Sequence, residues 1–311
     1  MNRSLPWTGV LAALATALIG SGWQIASRHG VTTSLGPLEL AVLRYAIPAL
    51  VLLPVAWASR AVLRALPARQ GALLVLGGGL PFGLVVMAGA QWAPAAHMGV
   101  FVAGSVPLFT ALGGWWLDGE RPARSRCLGL ALMAAGLAVS GLGGLAATAS
   151  AWRGDLLFVL AALLWSGYTL ALRRSGLTAW QGAAAINLGS TLLLLPLLWF
   201  AGAPKLLSAP LRDVALQAVG QGLFAGLLGL ALYGVAVARL GAARASLSGA
   251  LVPLMTAVGA AWLLREPLTA STWLALALVL PGVALAGGAW TARTASLRSR
   301  TTGSPRPSRP G

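Results

Sequence analysis

Few residues in this 311-residue chain can carry chemistry. The acidic side chains are Glu39, Asp118, Glu120, Asp155, Asp213 and Glu266; the histidines are His29 and His97; the one cysteine is Cys127. A metal site needs His, Cys and carboxylates clustered at fixed spacings, and a nucleophilic site needs a Ser or Cys beside a His. Neither pattern occurs. The acids and histidines sit at the ends of apolar runs or between them, and Cys127 serves as a small apolar residue. No metal, no cofactor and no enzymatic activity are expected. No carboxylate occupies the middle of an apolar run, where a proton relay would place one. His97 and Glu39 are the remaining protonatable candidates.

Arg44 is the one full charge well inside an apolar run. It can snorkel to a surface, pair with Glu39, or attract an anionic group of a ligand.

What remains is neutral-polar and aromatic. In the first run Gly20, Gln24 and Ser27 share one helical face, with Trp23 beside it. The third run offers Gly83, Met87 and Gln91, the fourth His97, Phe101 and Ser105, the sixth Trp165, Tyr168 and Thr169, and the eighth Gly229 and Tyr233. Such stripes also serve as interhelical packing. Converging from several helices, they suit a neutral, zwitterionic or aromatic solute. The expected binding residues are therefore Trp23, Gln24, Met87, Gln91, Phe101, Ser105, Trp165, Tyr168, Thr169 and Tyr233. His97, Arg44, Pro107 and Pro253 are candidates for coupling or gating.

The elements that must hold these residues are set by composition. Hydrophobic residues make up 58% of the chain and charged residues 9%, with a mean hydropathy of +0.81; soluble domains carry roughly a quarter charged residues. Apolar runs of about 20 residues, enough to cross a bilayer, fall at roughly 7–27, 36–57, 71–92, 96–117, 127–148, 154–173, 179–201, 214–238, 243–264 and 272–290. The chain reads as an all-α integral membrane protein of ten transmembrane helices. The first run begins like a signal peptide, but it has a partner in the second half and is expected to be retained.

A formal charge of +16 would suggest nucleic acid in a soluble protein. Here the arginines cluster on alternate loops. Arg60, Arg64, Arg69, Arg121, Arg124, Arg126, Arg173, Arg174 and the tail fall on one side; Arg28, Arg153, Lys205, Arg212 and Arg265 fall on the other. This positive-inside bias puts both termini in the cytoplasm. Membrane lipids, not nucleic acid, are the expected charged partners. Nothing in the sequence sets an oligomeric state.

The chain is also duplicated. Pro107, Thr110, Gly113, Trp116 and Glu120 recur as Pro253, Thr256, Gly259, Trp262 and Glu266, each 146 residues on. Residues 1–148 form a first repeat of five helices and 154–290 a second; 291–311 is an Arg-, Ser-, Thr- and Pro-rich tail expected to be disordered. Five is odd, so the repeats enter the membrane in opposite directions, the symmetry that alternating access uses.

The segment from Pro107 to Glu120 and its twin from Pro253 to Glu266 resemble the repeated signature of the EamA family, within the drug/metabolite transporter superfamily. Pro37-Leu-Glu-Leu-Ala-Val-Leu-Arg44 and Gly154-Asp-Leu-Leu agree with it. The resemblance implies a five-plus-five inverted repeat in a bacterial inner membrane, export of small metabolites, and a cavity lined by helices 1, 3, 4, 6, 8 and 9. The chain departs at Ser21-Gly22-Trp23-Gln24, where the family more often has Trp-Gly, and at Arg44, whose second-half counterpart is missing; Asn187 is the nearest polar residue. The expected function is a secondary transporter exporting a small neutral or zwitterionic, amino-acid-like metabolite. A lipid or lipid-linked-carrier flippase is the alternative, and an intramembrane enzyme is poorly served by two histidines near one surface.

Overall fold

The computed structural model describes residues 7–119, 123–147, 149–201, 204–241, 245 and 248–286. Glu120 and the 291–311 tail lie outside them. The described residues are helical, with no strand among them. The principal helices are α1 (Trp7–Thr32), α2 (Pro37–Ala58), α3 (Ala68–Trp92), α4 (Ala95–Asp118), α5 (Arg124–Ala147), α6 (Ala151–Ser175), α7 (Ala179–Ala201), α8 (Leu211–Leu240), α9 (Ser248–Leu263) and α10 (Ala270–Ala286). Seven of these (α1 and α3 to α8) are long and apolar enough to cross a membrane, and α9 and α10 are shorter apolar helices. Each apolar run in the sequence overlaps one of them.

Local chemistry fixes the helix ends. Pro37 follows Gly36 at the start of α2, where proline's missing N–H costs nothing. The Gly36 N–H donates to Glu39 Oε2 at 3.0 Å, so this carboxylate caps its own helix. Helices α4 and α6 stop at Gly119 and Gly176, whose φ of 68° and 69° favours glycine.

Packing is preserved when the halves are exchanged. Helix α1 lies on α8 and α9 as α6 lies on α3 and α4; α2 meets α7, α5 meets α10, and α4 meets α9. Small residues let these backbones approach, as lipid offers no hydrophobic drive for association. A Cβ on Gly154 would sit 2.7 Å from the Gly89 carbonyl oxygen, and one on Gly129 2.6 Å from that of Gly282.

The third helix of each half is irregular. Helix α3 breaks at Gly79, where the Tyr45 hydroxyl donates to the Gly79 carbonyl at 2.6 Å and the Leu80 N–H donates to Ser190 Oγ at 2.9 Å. Those two side chains satisfy the backbone groups that the break frees. A Cβ at Gly79 would collide with Ser190 Oγ. Helix α8 instead carries a π-helical stretch over Ala218–Leu228. The 146-residue shift places Ala225, inside that stretch, opposite Gly79.

Candidate functional site

A cavity of about 570 Å³ lies between the two halves. Along α1 it is lined from Thr16 to Gln24 and no further; Arg44, Phe82, Pro107, Trp165, Gly229, Tyr233, Gly249, Val252 and Ala286 complete most of the wall. Tyr233, exposed, stands at the open end, where α1 starts. Trp23, Gln24 and Arg44 form the tip. Aromatic rings build one side: Phe82 lies 6.0 Å from Trp23 and 4.8 Å from Trp165 between ring centroids, and Trp165 meets Tyr168 edge-on at 4.8 Å.

Beyond the tip the molecule is sealed. Thr256 Oγ1 donates to Gln24 Oε1 at 2.8 Å. The Gln221 amide donates to Ser27 Oγ at 3.0 Å, and that of Gln217 to the Ala26 carbonyl at 2.8 Å. At the outermost layer Arg28 Nε pairs with Glu266 Oε1 at 2.8 Å, while Glu266 Oε2 accepts the Ala95 N–H at 2.9 Å. Arg28 also donates to the Ala90 carbonyl. Glu266 thus ties the ends of α1 and α9 to the N-terminus of α4, where the helix dipole favours its charge. Glu266 is therefore a latch between the two halves.

The expected site residues divide. Trp23, Gln24, Trp165, Tyr233, Arg44 and Pro107 line the cavity. Met87 does not: it is fully buried among Leu40, Tyr45, Leu80 and Ile186. Gln91 is exposed near the end of α3, away from the cavity. Phe101 packs with Phe82, Met98 and Phe158, and neither it nor buried Ser105 lines the cavity, because α4 presents Val102, Ala103 and Val106 instead. The 3.6-residue period was sound and the face was off by one residue, about 100° of helix rotation. Tyr168 lies one shell out behind Trp165, and Thr169 Oγ1 bonds back to the Trp165 carbonyl at 2.8 Å. Pro253 is buried in α9 against Gly99, while its neighbour Val252 reaches the cavity. His97 pairs with Asp155 at 2.8 Å, both buried outside the cavity. That pair was missed because each partner lies near a helix start and only the fold joins α4 to α6.

Arg44 corrects one expectation. It does not pair with Glu39, which is committed to Gly36. Its guanidinium carbon lies 4.4 Å above the Trp23 ring, a cation–π contact facing the cavity. Phe82, Ala225, Val283 and Ala286 were not foreseen as lining, and they add α10, with Arg44 adding α2, to the expected wall. No carboxylate lines the cavity among the described residues, and no cluster of three or more His, Cys, Asp or Glu could hold a metal among them.

A solved crystal structure, described only as that of a protein, superposes with a TM-score of 0.62 at 22% identity, covering 91% of this chain and 98% of the other. That likeness speaks for the fold. No curated protein matches the chain. The profile of the EamA-like transporter family matches residues 7–142 and again 152–288, one match per half. The chain therefore belongs to the EamA-like transporter family, as a membrane protein of the drug/metabolite transporter superfamily.

Proposed function

We propose that this protein is a secondary transporter that exports a small, amino-acid-like metabolite across the inner membrane by alternating access. The observation that carries the reading is the cavity of about 570 Å³, closed at one end by the Arg28–Glu266 latch and open at the other. With both termini cytoplasmic, as the arginine distribution favours, the open end faces the cytoplasm and the latch faces outward. The cavity then loads from inside. Exchanging the packing of the two halves would open the latch and close the cytoplasmic end, carrying the solute out.

The lining supports a solute with an aromatic or aliphatic body. Trp23, Phe82 and Trp165 offer broad apolar faces, and a cavity of this size matches a small organic molecule. His97 and Asp155 stay outside the cavity, so binding itself does not route through them.

The test is untargeted mass spectrometry of the medium from cells overproducing the intact protein, beside cells making the Trp23→Ala, Trp165→Ala variant at equal membrane levels. A solute accumulating outside only with the intact protein is the expected result. Equal accumulation with both would remove the cavity from the account. No solute with either would withdraw the exporter and leave lipid flipping as the reading to pursue.

A further inference from the structure

The tip of the cavity holds an imbalance. Arg44 Nε and Nη1 and Trp23 Nε1 lie just behind the cavity surface, without a hydrogen-bond partner among the described residues, so a solute at the tip meets them when the Arg44 and Trp23 side chains turn toward it. All three are donors that cannot accept. Both residues line the cavity, and the Arg44 guanidinium rests on the Trp23 ring. Buried polar atoms are almost always satisfied, so an orphan cluster of one type points to a missing partner of the other. A full charge inside a membrane protein costs free energy unless an opposite charge meets it. The one carboxylate nearby in sequence, Glu39, is held by Gly36. Gln24 does not fill the gap, because its oxygen accepts from Thr256.

We propose that Arg44 and Trp23 form an oxyanion site, and that the transported solute is an organic carboxylate whose head group binds there. This rests on the reading of the cavity as the substrate site and narrows it. Guanidinium and indole N–H groups supply charge-assisted hydrogen bonds to the carboxylate. The rest of the solute lies along Phe82 and Trp165. An ammonium group finds no carboxylate in the wall, so a free amino group contributes little: a deaminated acid binds as well as the amino acid.

The test uses the purified full-length chain in neutral detergent and matched probes. Indole-3-acetate is compared with indole-3-acetamide, tryptophan with indole-3-propionate, and phenylacetate with phenylacetamide, each titrated by calorimetry. The carboxylates are expected to bind about tenfold tighter than their amides, the difference one strong charged contact makes. Tryptophan and indole-3-propionate should agree within about threefold. In Arg44→Gln the carboxylate-to-amide ratio should fall to about one, and Arg44→Lys should restore part of it. A ratio near one in the unaltered protein, no binding by any carboxylate, or a ratio indifferent to Arg44→Gln would overturn the proposal.

The Ala103→Trp variant fills the cavity and separates the two readings. Amides that bind without charge preference and are lost in Ala103→Trp would keep the cavity and discard the oxyanion site. Carboxylate binding that survives in Ala103→Trp would discard both. Phosphatidylglycerol added to the micelles gives the last arm: Arg44-dependent stabilisation by this lipid, with none from soluble carboxylates, would assign the site to a lipid head group and overturn the solute.

Discussion

Helices α3 and α8 hold the same place in the two halves, yet half of the apolar window of α3 is buried and only 6% of that of α8. Helix α3 is broken at Gly79 and pinned from both sides by Tyr45 and Ser190. Helix α8 keeps a π-helical stretch and lines the cavity with Ala225, Gly229 and Tyr233. Tyr45 lies on α2 and Ser190 on α7, so one helix from each half pins the α3 break. Two copies of one element in two packing states are what an alternating-access protein would present when caught on one side of its cycle. The two copies also differ in what they face: α8 borders the cavity with Ala225, Gly229 and Tyr233 and joins the seal with Gln217 and Gln221, while α3 lines the cavity with Phe82.

The largest expected effect comes from the latch. Replacing Glu266 by Gln leaves Arg28 without its counter-charge and weakens the tie to α4. Removing one partner of a partly buried pair costs on the order of 2 kcal/mol. A cysteine placed at Ala103, in a Cys127→Ser background, should then react at least about tenfold faster with a membrane-impermeant thiol reagent added outside. Export should fall together with the rise in reactivity. Unchanged reactivity would mean that Arg28 and Glu266 do not close this end.

A smaller effect sharpens the contrast between α3 and α8. A Cβ at Gly77 would sit 2.6 Å from the Leu164 carbonyl oxygen and 2.8 Å from the Tyr168 nitrogen, both backbone. Gly77→Ala should therefore lower stability by about 1–3 kcal/mol through overpacking. Its counterpart at the 146-residue shift, Leu223, is exposed, and Leu223→Ala should leave the thermal midpoint in detergent nearly unchanged. Equal sensitivity at both would erase the packing difference.

Next comes Ser190→Ala, which leaves the buried Leu80 N–H unpaired at the α3 break. A loss of about 1–2 kcal/mol is expected, seen as a lower thermal midpoint with cavity binding retained. The smallest effect belongs to Gln91→Ala. This side chain is exposed and away from the cavity, so export should stay within about twofold.

The sequence made the architecture readable because membrane physics writes it redundantly. Long apolar runs report the helices, and the repeat carried by Pro107 to Glu120 and Pro253 to Glu266 reports the two halves that the family profile matches. The site was readable only in part. Trp23 and Trp165, aromatic members of the expected stripes, both line the cavity. Met87, Phe101 and Ser105 were assigned to the wrong face because helices α3 and α4 are apolar all round, and a periodicity without a polar side does not choose one. Arg44 looked ready to pair with Glu39 because they are five residues apart; Gly36 N–H at the helix start competes for that carboxylate, and Trp23 lies against the guanidinium. His97 and Asp155 are 58 positions apart, a contact that no local pattern announces.

The central claim is that the two ends open in turn. Double electron–electron resonance in proteoliposomes, with one spin-label pair at Thr33 and Trp152 and another at Leu11 and Leu112, addresses it most directly. The account predicts two populations with opposed distances: where the Thr33–Trp152 pair is short, the Leu11–Leu112 pair is long, and the Glu266→Gln variant shifts weight toward the reverse. A single fixed distance at both ends, or both ends long together, would contradict alternating access and describe a rigid body or an open pore.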